Sequence, residues 1–331
     1  MVAPQHVTRV SLQSLQAPVQ AELDGVFAEL GRIARADFPL IGDVNRHLLA
    51  IRGKLFRPTL TLLSARASDN LSPHTLRLAA VVELIHLATL IHDDSVDHSV
   101  LRRGQPTVNA QFSHQIAVIM GDYLYSRAIV ELVELNDLEP LRVMSRVTTE
   151  MTVGEMREIE AHDLLDYTLA DYERMIDAKT ASLMAGACEV GAIGGDPARR
   201  EAMRRFGRSL GMAFQIVDDM LDYTSTQDVM GKPAGLDLHE HKITLPLIAA
   251  LPVMEPAERE RVARLMADPE PAREDVAEIV GIVERRGGIA AAAVRAQEFA
   301  LAAERELAVL PDSRARDALR DCVAYVVQRR R

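Results

Sequence analysis

The chain contains no tryptophan and only two cysteines, Cys188 and Cys322. A pair so placed provides neither a disulfide framework nor metal-ligand spacing, and reads as two buried apolar thiols in a reducing compartment. Also lacking are a Gly/Ser linker, a low-complexity tract, a charged leader ahead of an apolar core, and an unbroken apolar run of the ~18 residues that a membrane span requires. A cytoplasmic protein without a transmembrane segment is expected. Strand signals are missing as well, since no stretch of convincing length alternates with period two. What remains is 331 residues, 48% apolar, with a mean hydropathy near zero. That suffices for a large core, and with no composition break to divide it a single domain over residues 1–331 is expected. The net charge of −10 argues against nucleic acid as a partner, because phosphate backbones recruit basic surfaces.

Lysine is the scarcest charge. Lysine and arginine total 38, and lysine stands only at Lys54, Lys179, Lys232 and Lys242, which leaves 34 arginines. GC-rich codon bias would leave strays of this kind. The other explanation is that these four places need a compact, strongly hydrated ammonium where a planar guanidinium would not serve, and their neighbours favour it.

Against this background, carboxylates are concentrated twice. An apolar helical run from Leu76 to Ile91 is interrupted only by Glu83 and His86 and ends in Asp93-Asp94-x-x-Asp97. Helical spacing puts Asp93 and Asp97 on one face, at a helix end whose dipole disfavours negative charge. Cations among the carboxylates would relieve that conflict. The pattern returns as Gln215-Ile-Val-Asp218-Asp219-Met-Leu-Asp222, again on an apolar run. Oxygen donors of this kind suit Mg²⁺, which keeps several waters and commonly bridges protein to substrate phosphates.

Taken in order, residues 1 to about 35 form an extension and a first amphipathic helix, with Val19, Leu23, Val26, Phe27, Leu30 and Ile33 in helical spacing. Gly53-Lys54-Leu-Phe-Arg57-Pro58 breaks one helix and starts another, so Lys54 and Arg57 sit where a helix N-terminus favours an anion. Ser72-Pro73 reads as the N-cap and first residue of the long apolar helix. Arg102-Arg103-Gly104 follows the first aspartates and offers guanidiniums to phosphate oxygens. Further helices are expected from about Gln115 to Leu135, from about Leu138 to Glu160, after Tyr167-Thr168, and from the turn Gly194-Gly-Asp196-Pro197 into the second cluster. Within them, Gly154-Glu155-Met-Arg157-Glu158 reads mostly as a solvated face. Lys179-Thr180 instead lies among Ala, Leu and Met, where an ammonium is costly unless it meets an anion. Gly231-Lys232-Pro through Asp237, His241 and Lys242-Ile-Thr-Leu-Pro246 forms a loop. Residues 247–331 are C-terminal helices, with Pro252, Pro256, Pro269, Pro271 and Pro311 marking connections, and they end in a basic tail, Arg329-Arg330-Arg331, which is either solvated or closes over an anionic site.

Six aspartates and an excess of cationic side chains in an apolar helical chain would be accounted for by two diphosphates, and an apolar interior suits a hydrocarbon chain at their other end. The ordered motifs just given resemble those of the all-trans isoprenyl diphosphate synthase family. The likeness runs from about Gly53 to Pro246, taking in Gly121-Asp122 as well, and is weaker beyond. It implies an all-α fold, a single-domain helical bundle of the isoprenoid synthase type around a deep central cavity. Both aspartate clusters would face each other across its mouth, usually in a homodimer.

By this resemblance Asp93, Asp94, Asp97, Asp218, Asp219 and Asp222 would hold two to three Mg²⁺ ions on an allylic diphosphate, directly or through water. Arg102, Lys179, Lys232 and Lys242 would take its remaining oxygens. Lys54, Arg57, His86 and Arg103 would bind isopentenyl diphosphate, and Thr180 and Gln215 would present oxygen dipoles to an allylic cation. Loss of the diphosphate, attack by the isopentenyl double bond and loss of a proton then need no side-chain nucleophile. Two positions depart from the family pattern: Gln105 replaces a lysine common after Arg-Arg-Gly, and His241 replaces a glycine common before the last lysine. Both bear on loop closure and outer charge only.

Ala88 and Thr89 lie one helical turn into the cavity from Asp93. In the family an aromatic ring there stops the growing chain, so small residues imply a product of six or more isoprene units, with Ile85, Val82 and Leu132 as candidates for a deeper floor. A farnesyl or geranylgeranyl diphosphate synthase is the nearer alternative. From another class, a helical metal-dependent phosphohydrolase would use His86, His92-Asp93 and Asp218 but leaves the other aspartates and the lysines unexplained. A terpene cyclase shares the first cluster and normally mixes Asn, Ser and Glu in the second. A second polypeptide and a peripheral membrane contact during product release are both compatible with the long-chain assignment.

Overall fold

The computed structural model describes residues 10–50, 53–70, 72–160, 167–224 and 235–329. Amphipathic spacing produces α1 (Gln20–Ile33), which buries Leu23, Val26, Leu30 and Ile33 along one face. After α2 (Pro39–Ala50), α3 (Phe56–Ala67) begins at a left-handed Leu55 with φ 47°, so Arg57 and Pro58 fall inside its first turn. The long apolar helix is α4 (Thr75–Val96). At 22 residues it is long and apolar enough to cross a bilayer, yet α1, α3 and other helices pack around it and more than half of its apolar window is buried. It starts two residues later than Ser72-Pro73 suggested. The Ser72 hydroxyl accepts the His74 N–H at 3.2 Å and so closes a local turn instead of capping the helix.

Beyond the first aspartates, β1 (Leu101–Arg102) and β2 (Gln105–Pro106) pair as a minimal hairpin. Its turn residues Arg103 and Gly104 have φ of 53° and 74°, as a two-residue type I′ turn requires. α5 (His114–Glu134) and α6 (Leu138–Glu160) follow, close to their expected bounds. Thr168 and Asp171 form a reciprocal capping box at the start of α7 (Leu169–Ile176), which passes through a π-helical turn, Asp177–Ala181, into the fully buried α8 (Ser182–Gly191). α9 (Pro197–Thr224) is capped by the Asp196 carboxylate, which accepts the Ala198 N–H at 2.8 Å. The chain closes with α10 (Leu245–Ala250), α11 (Pro256–Ala267), α12 (Arg273–Arg285), α13 (Gly288–Glu306) and α14 (Arg314–Val327).

Two apolar clusters result. The larger joins α1, α3, α4, α5, α6, α8 and α14, and the smaller joins α7 with α10 to α13. α9 belongs to both, with Phe206 and Leu210 in the first and Ile216 and Tyr223 in the second. It comes very close to α8. A Cβ at Gly207 would lie 2.4 Å from the Met184 carbonyl oxygen, so that glycine sets the helix separation. The described residues are all-α apart from the hairpin.

Candidate active site

A cavity of about 1130 Å³ opens among α4, α5, α6, α7, α9 and the segment before α10. α4 places Asp93 and Asp97 on its wall and α9 places Asp218, Asp219 and Asp222 there, so the two clusters share one mouth. Asp94 is turned away. It is buried, and both its oxygens accept from the Arg102 guanidinium at 2.7–2.9 Å, a forked pair that ties the hairpin to α4.

The second cluster is held from behind. The Tyr172 hydroxyl donates to Asp219 Oδ2 at 2.5 Å, Gln215 Nε2 donates to Oδ1 at 2.8 Å, and Gln215 Oε1 accepts from the Thr180 hydroxyl at 2.8 Å. Thr180 and Gln215 thus form a relay ending on a carboxylate. Asp222 accepts from the backbone N–H groups of Leu236 and Asp237, each at 3.1 Å.

Among the described residues, no three carboxylates or histidines stand close enough to hold an ion as they are. Their charge state nevertheless fits one. Burial pushes the Asp93 carboxyl up to about 7, with Lys179 opposing and Glu155, Asp97 and Glu158 reinforcing. Burial also pushes Asp219 up to about 7, against the bonds from Tyr172 and Gln215. Asp222 and Asp237 are raised by the same cause. Crowded oxygen donors short of counter-charge suit hard divalent cations that bring water and phosphate oxygens as their other ligands.

Three of the four scarce lysines can be placed; Lys232 lies outside the described residues. Lys179 sits in the π-helical turn and pairs with Glu155 at 2.8 Å and with Glu158. These two glutamates line the cavity, so the segment Gly154–Glu158 is only partly a solvated face, with Met156 and Arg157 outward. Gly154 is part of the reason, since a Cβ there would lie 2.5 Å from the Lys179 backbone nitrogen. Lys242 reaches Glu240 at 2.9 Å and Asp97 at 3.5 Å, linking the loop after the second cluster to the first.

Lys54 stands beside a cationic corner of the same cavity, which Arg57, His86 and Arg329 line. Its pKa is lowered by burial and then by Arg329 and Arg103. Arg57 is half-buried, its Nη1 lies 3.1 Å from His86 Nε2, and its buried Nε has no hydrogen-bond partner. Burial, followed by Arg57 and Arg103, pushes His86 well below its usual value, so it is neutral at pH 7 and its Nε2 accepts from Arg57. Buried Glu83 is the main carboxylate beneath these groups. Gly53 lets the backbone pass between them, because a Cβ there would be 3.3 Å from both Arg103 Nη1 and Glu83 Oε1. Lys54, Arg57, Arg103 and Arg329 gather here around Glu83 and Asp218, a grouping suited to a polyanion.

Ala88 and Thr89 line the cavity, whereas Ile85, Val82 and Leu132 are buried beneath it and do not. Several residues were missed from sequence. Tyr172 and Tyr125 carried no local signal. Asp237, whose N–H holds Asp222, stood in view between two lysines. Of the two readings of the basic tail, Arg329 takes the second, lying over the Phe214 ring at 4.6 Å and 3.2 Å from Asp218.

Residues 38–283 match the family model described as Polyprenyl synthetase. The chain is 38% identical to the all-trans-nonaprenyl-diphosphate synthase (geranyl-diphosphate specific) of Rhodobacter capsulatus, covering 93% of this chain and 94% of that one. It is 34% identical to heptaprenyl diphosphate synthase component 2 of Geobacillus stearothermophilus, covering 97% and 99%. The structure of a Caulobacter crescentus polyprenyl synthase complexed with calcium and isoprenyl diphosphate superposes with a TM-score of 0.92 at 35% identity, covering 97% and 98%.

Proposed function

The chain belongs to the polyprenyl synthetase family, and on that premise we propose that it is a trans-prenyltransferase that extends an allylic diphosphate with isopentenyl diphosphate to a product of six or more isoprene units. The observation that carries this is the pair of aspartate clusters on one cavity mouth, in a cavity that Arg57, Lys179, Lys242 and Arg329 also line. When bound, Mg²⁺ supplies Lewis-acid neutralisation of the departing diphosphate.

The chain's own residues do the rest. Asp93, Asp97, Asp218 and Asp222 face the allylic diphosphate with its ions, with Asp219 set between Tyr172 and Gln215, and Asp94 steadies Arg102 until a ligand competes for it. Lys179, Lys232 and Lys242 take diphosphate oxygens. Lys54, Arg57, His86 and Arg103 hold isopentenyl diphosphate, with Arg329 at the edge of that group. Thr180 and Gln215 turn oxygens toward the allylic cation, and the apolar wall below keeps water from it. The absence of rings at Ala88 and Thr89 favours a long product over a farnesyl or geranylgeranyl one.

The chain acts as one domain and as a homodimer through the outward face of α5, where Ile119 and Val133 are more than half exposed. A cytoplasmic location agrees with two free, buried cysteines. A relative named as component 2 supports a role for a second subunit. The test incubates the purified protein with Mg²⁺, labelled isopentenyl diphosphate and a farnesyl or geranylgeranyl primer, then sizes the products. Chains of six or more units are expected. No incorporation, with or without a partner subunit, would overturn the assignment.

A further inference from the structure

The floor of the cavity is not built from α4. His92 on α4 packs against Gly121 on α5, where a Cβ would lie 2.2 Å from His92 Nε2. One turn deeper on each helix, Ala88 comes level with Tyr125. Both line the cavity, and the bulk missing from α4 is supplied from α5. The Tyr125 hydroxyl donates to Thr148 Oγ1 on α6 at 2.9 Å, and Thr148 Oγ1 in turn donates to the Met144 carbonyl at 3.0 Å, which leaves it free to accept. Below this pair Leu124, Ala128, Leu132, Met144 and Val147 are buried core and none lines the cavity.

Lengths make the position decisive. Ala88 lies five residues below Asp93, about 7.5 Å along the helix. Six isoprene units extend about 28 Å, taking four backbone bonds per unit at roughly 1.2 Å per bond of an extended chain. A long product cannot lie straight above the Tyr125 ring.

We propose that Tyr125 and Thr148 form a chain-length determinant of this enzyme, a hydrogen-bonded bar across the cavity that the growing hydrocarbon must displace to elongate. The proposal rests on the prenyltransferase assignment and adds to the roles of Ala88 and Thr89. A chain that reaches the bar either stops or pushes the ring aside, so the strength of the bond sets how products divide between shorter and longer. Thr148 keeps its bond to Met144 when the bar opens, so only the ring has to move.

Tyr125→Phe and Thr148→Val each remove one end of the bond with little change in volume. In the labelled elongation assay both should raise mean product length by at least one isoprene unit, while the rate of the first condensation and the KM for isopentenyl diphosphate stay at wild-type values. The double variant should lengthen the product no further than the larger single effect, because one bond is broken in all three. Wild-type product distributions in both single variants would overturn the proposal. So would lengthening in only one of them, which would assign the effect to a side chain and not to the bond. A wild-type enzyme that incorporates no isopentenyl unit would instead overturn the prenyltransferase assignment itself.

Discussion

Asp219 is buried to 6% exposure between Tyr172 and Gln215, with its carboxyl pushed up to about 7. A carboxylate kept there costs stability unless a cation joins it, a typical exchange of stability for function. Asp219→Asn should therefore raise the thermal midpoint of the protein in EDTA, by the equivalent of about 1 kcal/mol, since the Tyr172 hydroxyl can rotate to accept from the new amide. Elongation should fall by about 100-fold or more, the scale of losing a group that stabilises developing charge. A variant that melts lower than wild type in EDTA would sink this account. Lys179 makes the opposite case. Removing its ammonium leaves Glu155 and Glu158 facing each other across half-buried space, so Lys179→Ala should lose roughly 1–2 kcal/mol of stability and raise the KM for the allylic diphosphate at least tenfold. An unchanged KM would remove Lys179 from the diphosphate site. Residues of this kind were legible because aspartates at helical spacing and four lysines among 34 arginines are conspicuous on their own. Tyr172 and Tyr125 were not, because each acts through a hydroxyl whose partner lies on another helix, and nothing nearby in sequence marks it.

At the scale of elements, the helices around the cavity were largely visible from periodicity and caps. α6 matches its expected bounds at Leu138 and Glu160, and α7 opens just past Thr168 as expected. The π-helical turn at Asp177–Ala181 was not visible, since the phase shift it introduces runs into α8, which is buried all round and carries no readable hydrophobic period. It matters here because it sets where Lys179 and Thr180 emerge, and α6 approaches it closely at Gly154. Gly154→Ala should force the two backbones apart and cost roughly 1–3 kcal/mol by overpacking. Catalytic rate should drop with it as Lys179 shifts, while Gly31→Ala, where a Cβ meets nothing within 4 Å, should leave the rate unchanged and raise stability by up to about 1 kcal/mol. Equal behaviour of the two variants would show that the turn tolerates displacement. On α4 the corresponding change is Ala88→Phe, which adds a second ring to the cavity at the level of the Tyr125 bar. Products should shorten to about four units or fewer with the first condensation retained, and a wild-type distribution would refute the depth assigned to this position.

For the whole molecule, the surface carries the remaining information. α5 faces outward with Val118, Ile119, Ile129, Val130 and Val133 exposed, Ile119 at 62% and Val133 at 57%, and α6 adds Met156 at 61%. An apolar strip of this length on a helix that also walls the cavity is more than scattered exposure explains. A two-fold contact between copies of α5 would bury it against itself, so each substitution on the strip would count twice per dimer. Ile119→Glu combined with Val133→Glu puts four like charges into such a contact. Because both side chains project from the fold, the variant should keep its helical content and its thermal midpoint in dilute solution. Its dimer dissociation constant should rise by at least 100-fold, the effect of losing a central apolar contact, as read by sedimentation velocity. Elongation should fall in parallel, since α5 and α6 lose the partner that steadies the Tyr125–Thr148 wall. A wild-type protein that sediments as a monomer, or a charged variant that remains a dimer, would place the assembly surface elsewhere.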